Sequence, residues 1–252
     1  MEYGLKNKNI LITGSTKGLG KAIAEVLSRE GANVVISGRN QKETEKIAEE
    51  ISLKEGVRAV GCSADLMRKG VAESLFKESV KALGSIDILV NNAAIWPKSF
   101  VEDMEEDEFE KTMYLNLEVP YILSRIFVHH LLERKAKGKI INIVSQAAFH
   151  GSTTGHAHYA SAKAGLVTFM ISQAREVAKY GININAVAPG IMKTDMTAEQ
   201  LKVNEEYYKQ RIPLGRVAEP EEIAYAVAYL ASNKADYFTG ITLDATGGML
   251  MR

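Results

Sequence analysis

The amino-acid sequence predicts an α/β fold: a single doubly wound domain over residues 1–252, built on a seven-stranded parallel sheet. Three observations predict it. Short apolar, β-branched runs alternate with helical stretches along the whole chain, as parallel strands joined by helical crossovers require. The run 33–37 is apolar throughout, without polar alternation, as a parallel strand buried on both faces requires. A glycine-rich stretch, Thr13-Gly14-Ser15-Thr16-Lys17-Gly18-Leu19-Gly20, separates the first strand from the first helix.

Taken in order, residues 10–12 form the first strand and 19–29 the first helix. Residues 33–37 are a buried strand, and Asn40 with Glu43 three residues on opens a helix to about residue 54 in the manner of a capping box. A third strand covers 57–62, a third helix 71–83, and a fourth strand 86–90, which ends in Asn91-Asn92-Ala93-Ala94. Residues 104–135 read as two consecutive helices broken near Asn116 and Pro120. A fifth strand follows at 139–145, a helix at 159–179, and a sixth strand at 183–187, closed by Pro189-Gly190. Residues 191–213 read as an inserted, mobile segment beside the substrate site, Pro220 starts another helix at its first position, and 241–243 is the last strand.

Composition narrows the function. Thirty-one basic residues balance 31 acidic ones, so no global field draws the protein to nucleic acid. Cys62 is the only cysteine, which suits a reducing compartment and rules out an intrachain disulfide. With no signal-like apolar region at the N-terminus and no apolar run long enough to span a bilayer, the expectation is a cytoplasmic protein without membrane attachment.

The glycine stretch is where a coenzyme is expected. A pyrophosphate needs backbone N–H donors, the positive end of a helix and no Cβ in the way, and Gly14, Gly18 and Gly20 meet that need. Their spacing is G-x-x-x-G-x-G, a variant of the general dinucleotide fingerprint of Rossmann-type folds. Tyr159 and Lys163 are four apart and share a helix face, close enough for the ammonium to lower the phenol pKa and make a proton donor. Of the ten tyrosines only Tyr159 has a lysine at that spacing. Ser145 closes a strand and can hold a substrate carbonyl against the tyrosine. The second strand ends in Ser37-Gly38-Arg39 with no acid, and Arg39 with Lys17 suits a 2′-phosphate, so NADP(H) is expected over NAD(H).

In order and spacing, TGSTKGLG, NNAA, Asn116, Ser145, YASAK (159–163) and PGIMKT (189–194) resemble the short-chain dehydrogenase/reductase family over the whole chain. The resemblance implies Tyr159 as proton donor or acceptor, Lys163 as ribose ligand, Ser145 as the residue that orients the carbonyl, and Asn116 as anchor of a relay water. It also implies a coenzyme held by Gly14, Ser15, Thr16, Lys17, Gly18, Leu19 and Gly20, by Arg39, by Asn92 and Ala93, by Tyr159 and Lys163, and by Pro189, Gly190, Ile191 and Thr194. Asp65 and Leu66 join that set, although Asp65 equally suits a turn. The family more often places the serine thirteen positions before the tyrosine; here the separation is fourteen.

Stretches 175–178, 212–216, 237–243 and 247–249 resemble the 3-oxoacyl-carrier-protein reductases of that family most. This implies a 3-oxoacyl thioester substrate, an acyl carrier protein as partner, and a homotetramer that buries the apolar run 121–132. The carrier is acidic, so its docking needs cations beside the cleft. Where those reductases carry two arginines this chain has Ala136 and Tyr180, next to Lys135, Lys137 and Lys179. A sugar, polyol or small-ketone substrate stays open, as does a non-catalytic NADPH sensor. His150, His156 and His158 are expected to meet substrate; no cysteine or acid in their loop completes a metal site, so no metal is expected. His129 and His130 are expected to pack or to lie in an interface. Trp96, Met192, Met196 and Leu201 either wall an apolar pocket or belong to the core.

Overall fold

The computed structural model describes residues 3–251; Met1, Glu2 and Arg252, which the expected domain includes, lie outside the described residues. Seven strands form one all-parallel sheet: β1 (Asn9–Ile12), β2 (Asn33–Gly38), β3 (Ala59–Ser63), β4 (Ile88–Asn91), β5 (Gly138–Ile143), β6 (Ile182–Pro189) and β7 (Thr242–Ala245). Their order is β3-β2-β1-β4-β5-β6-β7. Nine α-helices occur among the described residues: α1 (Gly18–Arg29), α2 (Gln41–Glu55), α3 (Val71–Leu83), α4 (Glu106–Met113), α5 (Val119–Glu133), α6 (Ala147–His150), α7 (Ala157–Val177), α8 (Ala198–Arg211) and α9 (Pro220–Ala231). None of the helices is long and apolar enough to cross a membrane.

The unbroken apolar runs are explained by cores on both sides of the sheet. Side chains alternate along a strand. Ile10 and Ile12 of β1, with Val34 and Ile36 of β2, pack against Ile23 and Leu27 of α1, Ile47 of α2 and Val227 of α9. Leu11, Val35 and Leu89 point the other way, onto Phe76 of α3, Phe127 of α5 and Met170 of α7. Chain order reverses between β1 and β4, the place where doubly wound sheets open a crevice beyond their strand ends.

Most element bounds agree with expectation within two residues. The exception is the stretch from 104 to 135, which does not break: α4 passes through a π-helical turn, Tyr114–Glu118, directly into α5. Pro120 is the second residue of α5, just past the π turn, and gives no N–H to the helix carbonyls before it. Most of the 191–213 segment is helical, as α8, with a non-helical residue at Asn204 (φ −125°, ψ 17°). Leu201 is buried there with Ile212 and Val217 in a small core of its own.

Candidate active site

A cleft of about 660 Å³ runs along the C-terminal ends of the strands, from the glycine loop and Arg39 past Tyr159 to α8. The loop after β1 is pinned at its base. The buried Thr13 hydroxyl accepts from the backbone N–H groups of Asn92 (2.9 Å) and Ala93 (3.0 Å) and lies 3.3 Å from the Val90 carbonyl as donor. The Asn92 amide donates in return to the Thr13 and Gly14 carbonyls, at 2.9 and 3.0 Å. Gly14 holds φ at +63°, in the left-handed region, and a Cβ on Gly20 would run into the Gly14 carbonyl oxygen. The N-terminus of α1 has no side-chain cap, and Gly18, Leu19 and Gly20 line the cleft there. Open helix N–H groups beside an obligatory glycine fit the pyrophosphate of a dinucleotide.

Ser15 does not share in this cleft. Its hydroxyl donates to the Ile12 carbonyl (2.8 Å) and accepts from the Ser37 N–H (2.9 Å), and its own N–H donates to the Ser37 carbonyl (2.8 Å). The hydroxyl and the N–H are both spent on the ends of β1 and β2, which corrects the expectation of a coenzyme contact through this side chain. At the far end, Arg39 and Lys17 border the cleft where no acid closes β2, so their charge suits a 2′-phosphate. Lys17 Nζ lies 3.4 Å from Asp195 Oδ2, with both side chains largely exposed. Asp65 borders the cleft and also accepts from the Met67 N–H at 3.3 Å, closing a turn.

Ser145, Tyr159 and Lys163 meet deep in the same cleft. Tyr159 sits in the first turn of α7, with Ser145 beside its phenol. Tyr159 is only partly covered, yet the protein packed around it pushes the phenol pKa up to about 12, with Ser145 pulling the other way. This reverses the expected direction, because the ammonium meant to lower it is engaged elsewhere. Lys163, 2% exposed, donates from Nζ to the Ile143 carbonyl at 2.7 Å and stands 5.7 Å from the centre of the Tyr159 ring. Burial brings its own pKa down to about 8.

Asn116 lies in the π turn, fully buried, and does not line the cleft. Its Oδ1 accepts from the Ile95 N–H (3.1 Å) and its Nδ2 donates to the Ile95 carbonyl (2.9 Å), so its side chain clamps the exit of β4. The amide that would serve the Asn116 carbonyl in a regular helix is that of Pro120, which has no hydrogen.

Leu66, Ala93, Pro189, Gly190, Ile191 and Thr194 all border the cleft, as do Trp96, Met192 and Met196; Leu201 does not. Two further expectations are corrected. His158 does not border the cleft; it is wholly buried and faces Glu108 of α4, Nε2 to Oε1 at 3.2 Å, away from substrate. Lys135, Lys137 and Lys179 stand on the connections that feed the N-terminal ends of β5 and β6, across the sheet from the cleft of their own chain. Among the described residues no group of three or more His, Cys, Asp and Glu could hold a metal ion. Sequence reasoning missed Tyr207, Tyr208 and Arg211 of α8, and Gln146 and Met249, which wall the substrate end. Tyr207 and Arg211 carry the same i, i+4 signal that marked Tyr159, and their side chains are hydrogen-bonded.

The comparisons with known proteins agree with this geometry. A family model described as Enoyl-(Acyl carrier protein) reductase matches residues 14–250. The 3-oxoacyl-(acyl-carrier-protein) reductase FabG of Aquifex aeolicus is 38% identical over 99% of this chain and 100% of its own. Among solved structures, a short-chain type dehydrogenase/reductase from Mycobacterium marinum superposes with a TM-score of 0.93 at 28% identity, covering 100% of this chain and 98% of the other. A protein described as a 2-deoxy-d-gluconate 3-dehydrogenase from Agrobacterium tumefaciens, solved with bound NADP, gives 0.91 at 33% identity over 100% and 99%. With its fold, its cleft and these relatives in accord, the chain belongs to the short-chain dehydrogenase/reductase family and is an oxidoreductase.

Proposed function

We propose that the protein is an NADPH-dependent reductase whose leading substrate is a 3-oxoacyl thioester presented by acyl carrier protein. The observation that carries the reductase reading is the convergence of Ser145, Tyr159 and the buried Lys163 in the same cleft as the glycine loop. Bound nicotinamide would supply the hydride. Tyr159, protonated throughout the neutral range with its pKa near 12, gives a proton to the oxygen of the reduced carbonyl. Ser145 holds that oxygen against the phenol, and Lys163, charged below pH about 8, faces the coenzyme ribose. Asn116 acts through the backbone, holding Ile95 and offering a carbonyl to a relay water. Arg39 and Lys17 take the 2′-phosphate; Gly14, Thr16, Gly18, Leu19 and Gly20 the pyrophosphate; Asp65 and Leu66 the adenine; and Asn92, Ala93, Pro189, Gly190, Ile191 and Thr194 the remainder.

The thioester part rests on the carrier-protein reductases that the chain resembles at 38% identity. A sugar or sugar-acid substrate is the second reading, favoured by the polar side chains of Gln146 and His156 in the cleft and by the Agrobacterium neighbour. We place the protein in the cytoplasm as a single-domain homotetramer whose 191–213 segment moves over substrate; the balanced charge and the lone buried Cys62 suit that setting. NADPH oxidation against 3-oxoacyl thioesters, ketones and sugars tests the reaction. In Tyr159→Phe we expect turnover to fall by roughly 10² to 10⁴ while NADPH binding stays within a few-fold. Retention of more than about a tenth of kcat would overturn the assignment.

A further inference from the structure

We infer that His156 sets substrate choice: its Nε2 accepts a hydrogen bond from an O–H or N–H donor that the substrate carries beyond its reacting carbonyl. The inference rests on the reductase reading above. His156 walls the cleft, is 2% exposed, and caps α7 three residues before Tyr159, a spacing that brings the two onto one helix face. Its ring is held on more than one side. Nδ1 lies 2.7 Å from the Pro97 carbonyl oxygen, and Trp96 stacks on the ring with centroids 4.2 Å apart and planes 21° from parallel. The loops are tied as well, the Ser99 N–H donating to the Gly155 carbonyl at 2.8 Å.

A carbonyl can only accept, so the hydrogen sits on Nδ1 and the neutral ring keeps a lone pair at Nε2. Burial, with smaller contributions from His158 and Lys98, holds the His156 pKa below its usual value against the opposing bond to Pro97, and the ring stays neutral at neutral pH. Nε2 is nevertheless buried without a hydrogen-bond partner. Native structures rarely leave such an acceptor unmatched, and one on a ring that borders a substrate cleft is matched when the ligand reaches it with a donor. Two sources carry that chemistry: the hydroxyl of a hydroxy-ketone or sugar, and the amide N–H of the arm that bears an acyl thioester. A plain ketone carries neither, and a site built for a donor rejects the analogue that lacks it.

The test uses two matched pairs: 1-hydroxy-2-butanone against 2-butanone, and acetoacetyl-N-acetylcysteamine against the S-ethyl thioester of acetoacetate. For each we would measure kcat/KM with NADPH, and the Kd by quenching of Trp96, the one tryptophan in the sequence. Wild type should favour the donor-bearing member of at least one pair by about tenfold or more, and that pair identifies the source. The ratio should fall to about twofold or less in His156→Phe, which keeps a stacked ring without the acceptor, and part of it should return in His156→Gln. His156→Leu replaces the Phe variant where that one does not fold. Flat ratios in wild type, or a preference that survives in His156→Phe, would overturn the inference. Oxidation of NADPH with flat ratios sinks the inference alone; discriminating Kd values without any NADPH oxidation sink the reductase reading and leave the role of His156 standing.

Discussion

Lys163 should make the protein more stable as the medium becomes alkaline. Its ammonium is buried against the Ile143 carbonyl, and its pKa is lowered from 10.5 to about 8. Below pH 8 the folded and unfolded chains both hold the proton, and the folded state bears the full cost of burying the charge. At about 1.36 kcal/mol per tenfold step, that cost is about 3 kcal/mol. As pH rises through 8 the folded protein sheds the proton, while the unfolded chain keeps it up to 10.5, so stability rises. By pH 9.5 about 2 kcal/mol of the cost should be relieved. Tyr159 has the opposite sign, since its raised pKa costs stability, but only above pH 10, where the unfolded phenol begins to ionise. Urea unfolding of wild type and Lys163→Met at pH 7, 8.5 and 9.5 isolates the lysine, because other groups cancel in the difference. We expect the variant to be the more stable at pH 7, and its lead to shrink by about 2 kcal/mol at pH 9.5 with an inflection near 8. Stability curves that run parallel over this range would refute the reasoning.

Three other outcomes follow from the site. Arg39→Asp combined with Lys17→Ala should swing preference toward NADH, each lost contact to the 2′-phosphate costing about 1.5 to 3 kcal/mol; an unchanged ratio of kcat/KM for the two coenzymes would show that the phosphate lies elsewhere. Thr13→Val leaves the part-buried N–H groups of Asn92 and Ala93 without their acceptor and should cost about 1 to 3 kcal/mol in chemical unfolding, with Thr13→Ser close to wild type. Sedimentation at micromolar concentration should give a tetramer; a 27.6 kDa monomer would rule out burial of Tyr121 and Leu132 between subunits, both of which are exposed in the single chain.

The architecture was legible because β1, β2 and β4 are written as short, mostly apolar runs and each crossover has a period of its own. The pair Tyr159 and Lys163 was legible because a spacing of four is a local property of a helix. What escaped depends on contacts between distant elements. The direction of the Tyr159 pKa is set by packing from several elements, which one helix face does not report. Ser15 and Asn116 have polar side chains in promising motifs, and only the structure reveals that both are spent on backbone groups of neighbouring segments. The misplacement of Lys135, Lys137 and Lys179 has a different cause. They precede β5 and β6, and the rule that ligands bind at the C-terminal strand ends already puts them on the other side of the sheet.

The Thr13 hydroxyl also has a bearing on how the molecule folds. It joins residues 79 and 80 positions apart in the chain, across the seam between β1 and β4. Closing a loop of that length carries an entropic cost that neighbouring contacts do not share. The floor of the glycine loop therefore cannot form during synthesis until the chain has emerged well beyond β4, however early α1 becomes helical. A dinucleotide that needs this floor would find no foothold on the nascent first third of the protein and would act on the last steps of assembly, slowing unfolding more than it speeds folding.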